Sequence, residues 1–166
     1  TSLRIAGDEL DDSIVSYIKK KYNILIGEVT AEMLKKKIGS VHPGVDRGVM
    51  EIRGRNLLNG LPAIITVSSA EIREAMHEQI VHIIEAIRTT LENTPPELSS
   101  DIYDNGIMLS GGGALLGGLD ALVTHVTGIR ATIAKAPLDA VAIGIGHVIE
   151  GSSDSDAVQY RNRGSR

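Results

Sequence analysis

Three consecutive glycines, Gly111, Gly112 and Gly113, carry the strongest chemical signal in the sequence. They follow an apolar run at 107–110 that is typical of a buried strand, and apolar residues at helical spacing follow them. Because glycine has no Cβ, such a loop lets the main chain approach a ligand closely, and the N–H groups that open the next helix attract negative charge. The pattern indicates a nucleotide or phosphate site. A glycine-rich connection without a ligand stays open as the alternative.

Two better-known glycine loops do not match this pattern. A P-loop needs lysine directly after its second glycine, but Gly117 is followed by Gly118. A dinucleotide-binding fingerprint that begins at Gly111 needs its third glycine at the position of Leu116. The loop therefore belongs to neither class.

Other reactive side chains lack the spacing that their chemistry requires. His77 and His82 would lie about 140° apart around a helix, so they cannot hold one zinc ion together. Met108 stands where a nucleophile elbow around Ser110 requires glycine. The acidic cluster at 8–12 suits the positive end of a helix better than a metal. The sequence predicts no catalytic residue and no metal site.

Glu32 and Lys35 form a second candidate pair. They are three residues apart on a short predicted helix and therefore lie on one face. A carboxylate acceptor beside an ammonium donor suits the vicinal hydroxyls of a ribose. An ordinary exposed ion pair is the alternative that these two residues leave open.

The composition limits the function classes. A chain of 166 residues with 42% hydrophobic content predicts one globular domain, or one domain with a small insertion. A net charge of −4, with no Phe or Trp to stack on bases, argues against a nucleic-acid partner. Absence of cysteine excludes disulfides and fits a cytosolic origin, and no apolar run reaches the roughly 18 residues of a membrane span. We also expect a fragment, because the first residue is Thr1 and 2–5 resembles the end of a strand.

Two helices are predicted around the Glu32 and Lys35 pair. The first carries an apolar stripe formed by Leu10, Ile14 and Ile18. The second spans 31–38, with Thr30 as its N-cap and Gly39 as its end.

A hairpin and a long helix are predicted next. Strand patterns at 49–53 and 63–67 indicate the hairpin. Ser68 and Glu71 have capping-box spacing, and an apolar stripe continues to about Asn93.

The remaining residues alternate between strands and helices, which predicts an α/β layered fold. The predicted order is a strand at 107–110, the glycine loop, a helix to about 128, a strand at 129–133 and a helix at 138–150. Residues 151–166 lose apolar periodicity and are expected to form a disordered polar tail.

Six segments, in this order, resemble the MreB family of bacterial actin homologues. They are AGDELD (6–11), YIKKKYN (17–23), IGE with TAE (26–28 and 30–32), RGR with GLP (53–55 and 60–62), TPPEL (94–98) and SGGGALL (110–116). The resemblance runs from Thr1 to about Glu150. The glycine loop alone would indicate only the wider actin and heat-shock-chaperone ATPase superfamily.

The resemblance implies an α/β fold, that of domain II of an actin-like ATPase. A ribonuclease-H-like core subdomain would comprise 1–22 and 71–150, including the adenosine-binding glycine loop. A small α+β subdomain would be inserted at 23–70.

The implied cofactor is ATP, with Mg²⁺ in the intact protein. The implied nucleotide-binding residues are Glu32, Lys35, Lys36, Gly39, Gly111, Gly112, Gly113, Ala114 and Leu115. By resemblance, the loop closes over adenosine and phosphate, Glu32 and Lys35 contact the ribose, and Lys36 and Gly39 lie near the adenine. Two departures are Gly117, where a basic residue is common, and His147, where lysine is frequent.

The family's two phosphate loops and its catalytic acid are expected upstream of Thr1. The fragment alone should therefore not hydrolyse ATP, because phosphoryl transfer needs positioned phosphates, a metal ion and an oriented nucleophile. Its ATP affinity should be no better than about millimolar.

The implied function is that of a rod-shape-determining cytoskeletal protein. Family members polymerise ATP-dependently into head-to-tail filaments at the inner face of the cell membrane and organise cell-wall synthesis. The implied partners are copies of the protein itself and, in the intact protein, wall-synthesis and membrane proteins. We expect no nucleic-acid partner and no membrane insertion by this fragment.

Two other functions stay open. A sugar-kinase-like enzyme of the same superfamily would use the inserted subdomain to line a substrate pocket, although 53–62 and the lack of a sugar-recognition cluster favour the filament protein. A purely structural module would bind no nucleotide. The substitution Glu32→Ala in the intact protein separates this module from the nucleotide-binding filament protein, because a scaffold would keep its ATP affinity and its filament formation unchanged.

Overall fold

In the computed structural model, which describes residues 1–151, helix α1 (Gly7–Tyr22) is the first element. The main-chain N–H of Ala6 donates to the Glu9 carboxylate at 2.8 Å, which caps its start. Its predicted apolar stripe is confirmed, since Leu10, Ile14 and Ile18 are buried. The strand expected at 2–5 is wrong: no described strand pairs with these residues, and a strand needs a partner for its hydrogen bonds.

Helix α2 (Glu28–Ile38) carries the candidate residues Glu32 and Lys35. It begins earlier than predicted, because Gly27 is the N-cap and its carbonyl accepts from Thr30 N–H at 3.0 Å. Thr30 therefore lies inside the first turn and is not the cap. The helix ends as predicted at Gly39, where any Cβ would collide with the Lys35 carbonyl.

Three antiparallel strands form the first sheet: β1 (Ile24–Leu25), β2 (Val49–Asn56) and β3 (Pro62–Ser68). The predicted hairpin of β2 and β3 is confirmed, with Val49 opposite Ser68 and Arg55 opposite Pro62. Asn56 shapes its turn by accepting the Leu58 N–H at 2.8 Å. Strand β1 was not predicted, because a strand of two residues is too short to show an alternating apolar pattern.

Helix α3 (Ser69–Glu92) packs against α1, α2 and strand β3. The predicted capping box is confirmed: Ser68 N–H donates to the Glu71 carboxylate at 2.8 Å, and Glu71 N–H donates to Ser68 Oγ at 3.3 Å. Helix α4 (Pro96–Asn105) follows it and was not predicted. Proline was interpreted as the end of a helix, but proline is also favoured at the first position of a helix, which Pro96 occupies in α4.

The second sheet consists of two parallel strands, β4 (Ile107–Leu109) and β5 (Ala131–Ile133). The helix predicted after the glycine loop is in two parts, a 3-10 helix (Gly112–Leu115) and α5 (Leu119–Thr127). They are separated at Gly118, whose φ of +78° interrupts helical geometry. The predicted strand–helix–strand order is confirmed, and α6 (Ala140–Gly151) follows it. Beyond Gly151, the residues of the predicted tail at 151–166 lie outside the described part of the chain.

One continuous apolar cluster joins the two sheets through α1, α2 and α3. It includes Ile24 from β1, Met76 from α3 and Ala131 from β5. The strands of the first sheet fall within 23–70 and those of the second fall outside it, but the division into subdomains at these boundaries stays a prediction. None of the helices within residues 1–151 is long and apolar enough to cross a bilayer.

A polar cluster fastens the end of α1 to the start of α3. Tyr22 Oη donates to the Glu71 carboxylate, and Lys21 Nζ lies 2.9 Å from the same group. Tyr17 Oη donates to Glu74 at 2.6 Å. Burial raises the pKa of Glu71, but the hydrogen bonds from Tyr22, Ser68 and Lys21 outweigh burial and bring the pKa to about 2.

This cluster predicts a pH-dependent contribution to stability. Because the folded-state pKa of Glu71 lies below its ordinary value of 4.5, the carboxylate stabilises the fold above that value, and the contribution is lost as the pH falls towards about 2. Glu71→Gln keeps an amide that can cap the helix but removes the charge. We expect the variant to lose less stability than the wild type between about pH 5 and pH 3, measured as the urea midpoint at each pH.

The matched control for this experiment is Glu78→Gln, which changes an exposed glutamate of the same helix. Its urea midpoints should follow the wild-type curve. Equal pH dependence of all three proteins would show that Glu71 does not stabilise the fold through its charge.

Candidate functional site

The glycine loop lies at the carboxyl end of β4, where parallel sheets bind their ligands. Gly111 has a φ of +80° and donates its N–H to the Pro137 carbonyl at 2.7 Å, which fixes the loop. Gly112 and Gly113 are exposed, and a Cβ built on Gly113 would meet no atom within 4 Å. The main chain at these two glycines is therefore open to a ligand.

The segment after the loop contacts the end of α2. Val41 N–H donates to the Gly117 carbonyl at 2.8 Å, and Ser40 and Gly117 form a parallel β-bridge. A Cβ on Gly117 would lie 3.0 Å from the Gly39 carbonyl oxygen, so these two segments of the chain meet where neither residue has a side chain. The structure thus joins the segment that follows the glycine loop to the chain just beyond the end of α2.

Lys35 does not form the predicted pair with Glu32. Its ammonium donates to the Asp11 carboxylate and to the Gly7 carbonyl, each at 2.8 Å, and the lysine and aspartate side chains are only 11% and 10% exposed. Glu32 instead pairs with Lys36, one turn along the exposed side of α2, at 2.6 Å. The expectation of a Glu32–Lys35 couple is wrong because a buried carboxylate on α1 attracts the lysine inward.

The acidic cluster at 8–12 is used by the fold. Glu9 caps α1, and Asp11 holds Lys35. The second carboxylate oxygen of Asp11 is buried without a hydrogen-bond partner among the described residues. Within residues 1–151 no three carboxylates or imidazoles are grouped closely enough to hold a metal ion.

The predicted site residues differ in accessibility. Gly112, Gly113, Leu115, Glu32 and Lys36 are exposed. Hydrogen bonding to Lys36, together with its charge, lowers the pKa of Glu32, so this carboxylate is ionised at neutral pH. Ala114 and Gly39 are buried and could contact a ligand only through their main chain.

Sequence reasoning missed one side chain at this place. The Arg47 guanidinium lies against Gly117, because a Cβ there would be 2.6 Å from Arg47 Nε. The signal in the sequence that could have indicated this contact was Gly117, which departs from the family pattern. An apolar groove formed by Leu3, Ile87, Ile102 and neighbouring residues lies elsewhere, and no predicted site residue lines it.

Comparisons with known proteins point to one family. The family model for the MreB/Mbl protein matches residues 1–157. The chain is 48% identical over 150 residues to the cell shape-determining protein Mbl of Bacillus cereus. The alignment covers 90% of this chain and 45% of that protein. It is 47% identical to the cell shape-determining protein MreB of Escherichia coli, covering 90% of this chain and 43% of that protein. The chain spans less than half the length of these relatives.

Solved structures resemble the fold closely. MreB5 of Spiroplasma citri bound to ADP matches with a TM-score of 0.85 and 38% identity, covering 93% of this chain and 48% of that one. The same protein bound to AMPPNP matches with a TM-score of 0.79, covering 98% and 46%. The MamK double helical filament, at 24% identity, has a TM-score of 0.67 and covers 83% and 42%, which shows a common fold alone.

Two neighbouring lysines of α2 should differ sharply in their effect on stability. Lys35→Ala removes the partner of a buried carboxylate and should cost about 3–5 kcal/mol of unfolding free energy. Lys36→Ala removes only an exposed pair and should cost less than about 1 kcal/mol. Urea denaturation monitored by circular dichroism measures both. Similar values for the two variants would contradict the structural role of Lys35.

Proposed function

The chain belongs to the MreB/Mbl family and has the mixed α/β fold of actin-like proteins, and we propose that it is the nucleotide-binding half of a cell-shape-determining cytoskeletal protein. The observation that carries the proposal is the bond between the Gly117 carbonyl, four residues after the exposed main chain at Gly113, and the Val41 N–H just beyond the end of α2. The ADP-bound and AMPPNP-bound forms of MreB5 support a nucleotide as the ligand. The residues present fit such a ligand, because no atom lies within 4 Å of the place where a Gly113 Cβ would be, which leaves that main chain accessible.

Five of the nine predicted residues receive a role that their positions permit. The main chain at Gly112 and Gly113 would contact the nucleotide at the point of closest approach. Glu32, exposed and ionised, would accept hydrogen bonds from ribose hydroxyls. Lys36 would hold the Glu32 carboxylate in place. Lys35 would act at a distance, by fixing α2 against α1.

ATP is the proposed nucleotide, accompanied by Mg²⁺ in the whole protein. A bound metal ion neutralises phosphate charge, and we assign no ligand to it within residues 1–151. The proposed organisation keeps a ribonuclease-H-like core over 1–22 and 71–150, with 23–70 as the inserted subdomain. Hydrolysis would belong to the whole protein.

Self-association is the second part of the proposal. The hairpin turn between β2 and β3 exposes apolar side chains, with Leu58 80% and Leu61 61% exposed. Clustered exposed apolar residues are typical of protein interfaces. We propose that this turn contacts a second copy in a head-to-tail filament at the inner face of the cell membrane, where wall-synthesis proteins would be further partners. The relatives are named as cell shape-determining proteins, so a sugar-kinase activity is not favoured.

The nucleotide proposal is tested by titrating the ¹⁵N-labelled chain with ATP and following its amide chemical shifts. Millimolar dissociation constants are accessible to this method. We expect the shifts to concentrate at Gly112, Gly113 and Glu32. Glu32→Ala should weaken ATP about tenfold, because the ribose loses a hydrogen bond to a charged acceptor.

Glu28→Ala is the matched control for this titration, since Glu28 is exposed one turn earlier on the same helix. It should bind ATP like the wild type. Absence of saturable shifts in the wild type, or equal affinity of the wild type and Glu32→Ala, would contradict the proposed site.

The filament proposal is tested in the whole protein. Leu58→Asp places a charge at the hairpin turn and should raise the critical concentration for ATP-dependent assembly about tenfold or more, as expected for a central interface residue. Leu98→Asp, on the exposed side of α4, is the matched control and should assemble normally. Sedimentation measures both, and normal pelleting of Leu58→Asp would exclude the turn from the interface.

A further inference from the structure

The Arg47 guanidinium covers a main-chain surface that has no side chain of its own. A Cβ built on Gly117 would lie 2.6 Å from Arg47 Nε and 2.9 Å from Arg47 Cζ. Arg47 Nη1 also lies 3.5 Å from the Lys36 carbonyl oxygen, at the end of α2. The guanidinium therefore occupies the junction between the glycine-loop segment and α2.

An ordered loop holds Arg47 in this place. The buried Ser40 hydroxyl lies within hydrogen-bond distance of two carbonyl oxygens, that of Val45 at 2.5 Å and that of His42 at 3.0 Å. Arg73 from α3 reaches the same Val45 carbonyl at 3.4 Å. The Asp46 carboxylate accepts the Gly48 N–H at 2.9 Å, so the residues on both sides of Arg47 are fixed. The loop at 41–48 therefore presents the arginine from a defined position.

Arg47 has N–H donors that remain available for a ligand. Its side chain is exposed, and no ion pair involves it in the part of the chain that the structure describes. The neighbouring Asp46 carboxylate is committed to the Gly48 N–H. A guanidinium is planar, carries five N–H donors and stacks on aromatic faces. Arg47 can therefore cover a flat ring and still keep its charge hydrated at the edge.

The composition leaves few other groups to cover a purine base. The chain has no Phe and no Trp. Tyr17 and Tyr22 are engaged with glutamates of α3, in the cluster that fastens α1 to α3. Two planar side chains lie at the junction: His42, whose Cβ is against Gly118, and Arg47, whose guanidinium is the group that lies directly on Gly117.

We propose that Arg47 is a nucleotide-binding residue whose guanidinium stacks on the purine base, at the junction of Gly39 and Gly117. The proposal rests on the nucleotide site proposed above and adds to it the residue that covers the base. Gly117 serves the same contact, since a side chain there would displace the guanidinium.

The experiment titrates the ¹⁵N-labelled 166-residue chain with three ligands: ATP, adenosine and inorganic triphosphate. Arg47→Ala should weaken ATP and adenosine by the same factor, about threefold to tenfold, because the contact is to the base. Arg47→Lys should be weakened as well, since it keeps the charge but loses the plane. Gly117→Ala should weaken both ligands by pushing the guanidinium aside. Arg53→Ala, an exposed arginine on β2, is the matched control and should bind like the wild type.

The outcomes separate this inference from the proposed function. Weakened ATP and triphosphate with unchanged adenosine would assign Arg47 to phosphate and overturn the stacking contact. Unchanged affinity of Arg47→Ala for all ligands, in a chain where Glu32→Ala does weaken ATP, would overturn the inference and leave the proposed site intact. A wild-type chain that binds neither ATP nor adenosine would overturn both. Wild-type thermal midpoints and amide dispersion in each variant show that a weakened affinity is not caused by unfolding.

Discussion

The buried ion pair between Asp11 and Lys35 is the interaction on which the candidate site depends. A carboxylate on α1 that is almost removed from water needs a cation close by, and the lysine on α2 is the residue that reaches it. The pair, together with the packing of Ala31 and Leu34 against the core, fixes where α2 lies on α1. That placement determines where α2 ends, and its end is where the glycine-loop segment is bound.

The second constraint is the absence of side chains where the two segments meet. At Gly39, where α2 ends, a Cβ would collide with the Lys35 carbonyl of the helix. At Gly118, a Cβ would lie 2.7 Å from the Cβ of His42, so no larger residue fits there. Gly117 lies between them, against Arg47. Here glycine allows two segments of the chain to approach closely, whereas at Gly113 it leaves open space. The same residue type therefore has a structural role at one end of the segment and a proposed ligand-binding role at the other.

Local patterns predicted the elements whose cause is local. The stripe of α1 and the capping box of Ser68 and Glu71 depend on neighbours within one or two turns, and the sequence contains both partners. The Lys35 partner could not be predicted in this way, because i,i+3 spacing favoured Glu32 while a buried carboxylate 24 residues away was the stronger attraction. The family resemblance predicted that the glycine loop and α2 share one site, which stays a prediction, and the structure shows the bond from Val41 N–H to the Gly117 carbonyl. Arg47 was missed since its contact is with a residue that has no side chain.

Strand β2 connects the two places to which functions are proposed, the Arg47 loop and the hairpin turn. It begins two residues after Arg47, at Val49, and ends at Asn56, whose side chain shapes the hairpin turn. Its full-length pairing with β3 makes it stiff along its length. A ligand that holds the Arg47 loop and a second copy that covers the turn would therefore act on one rigid element. They would influence each other only if one of them changes how that strand lies on the core, where Ile52 is the buried residue of β2.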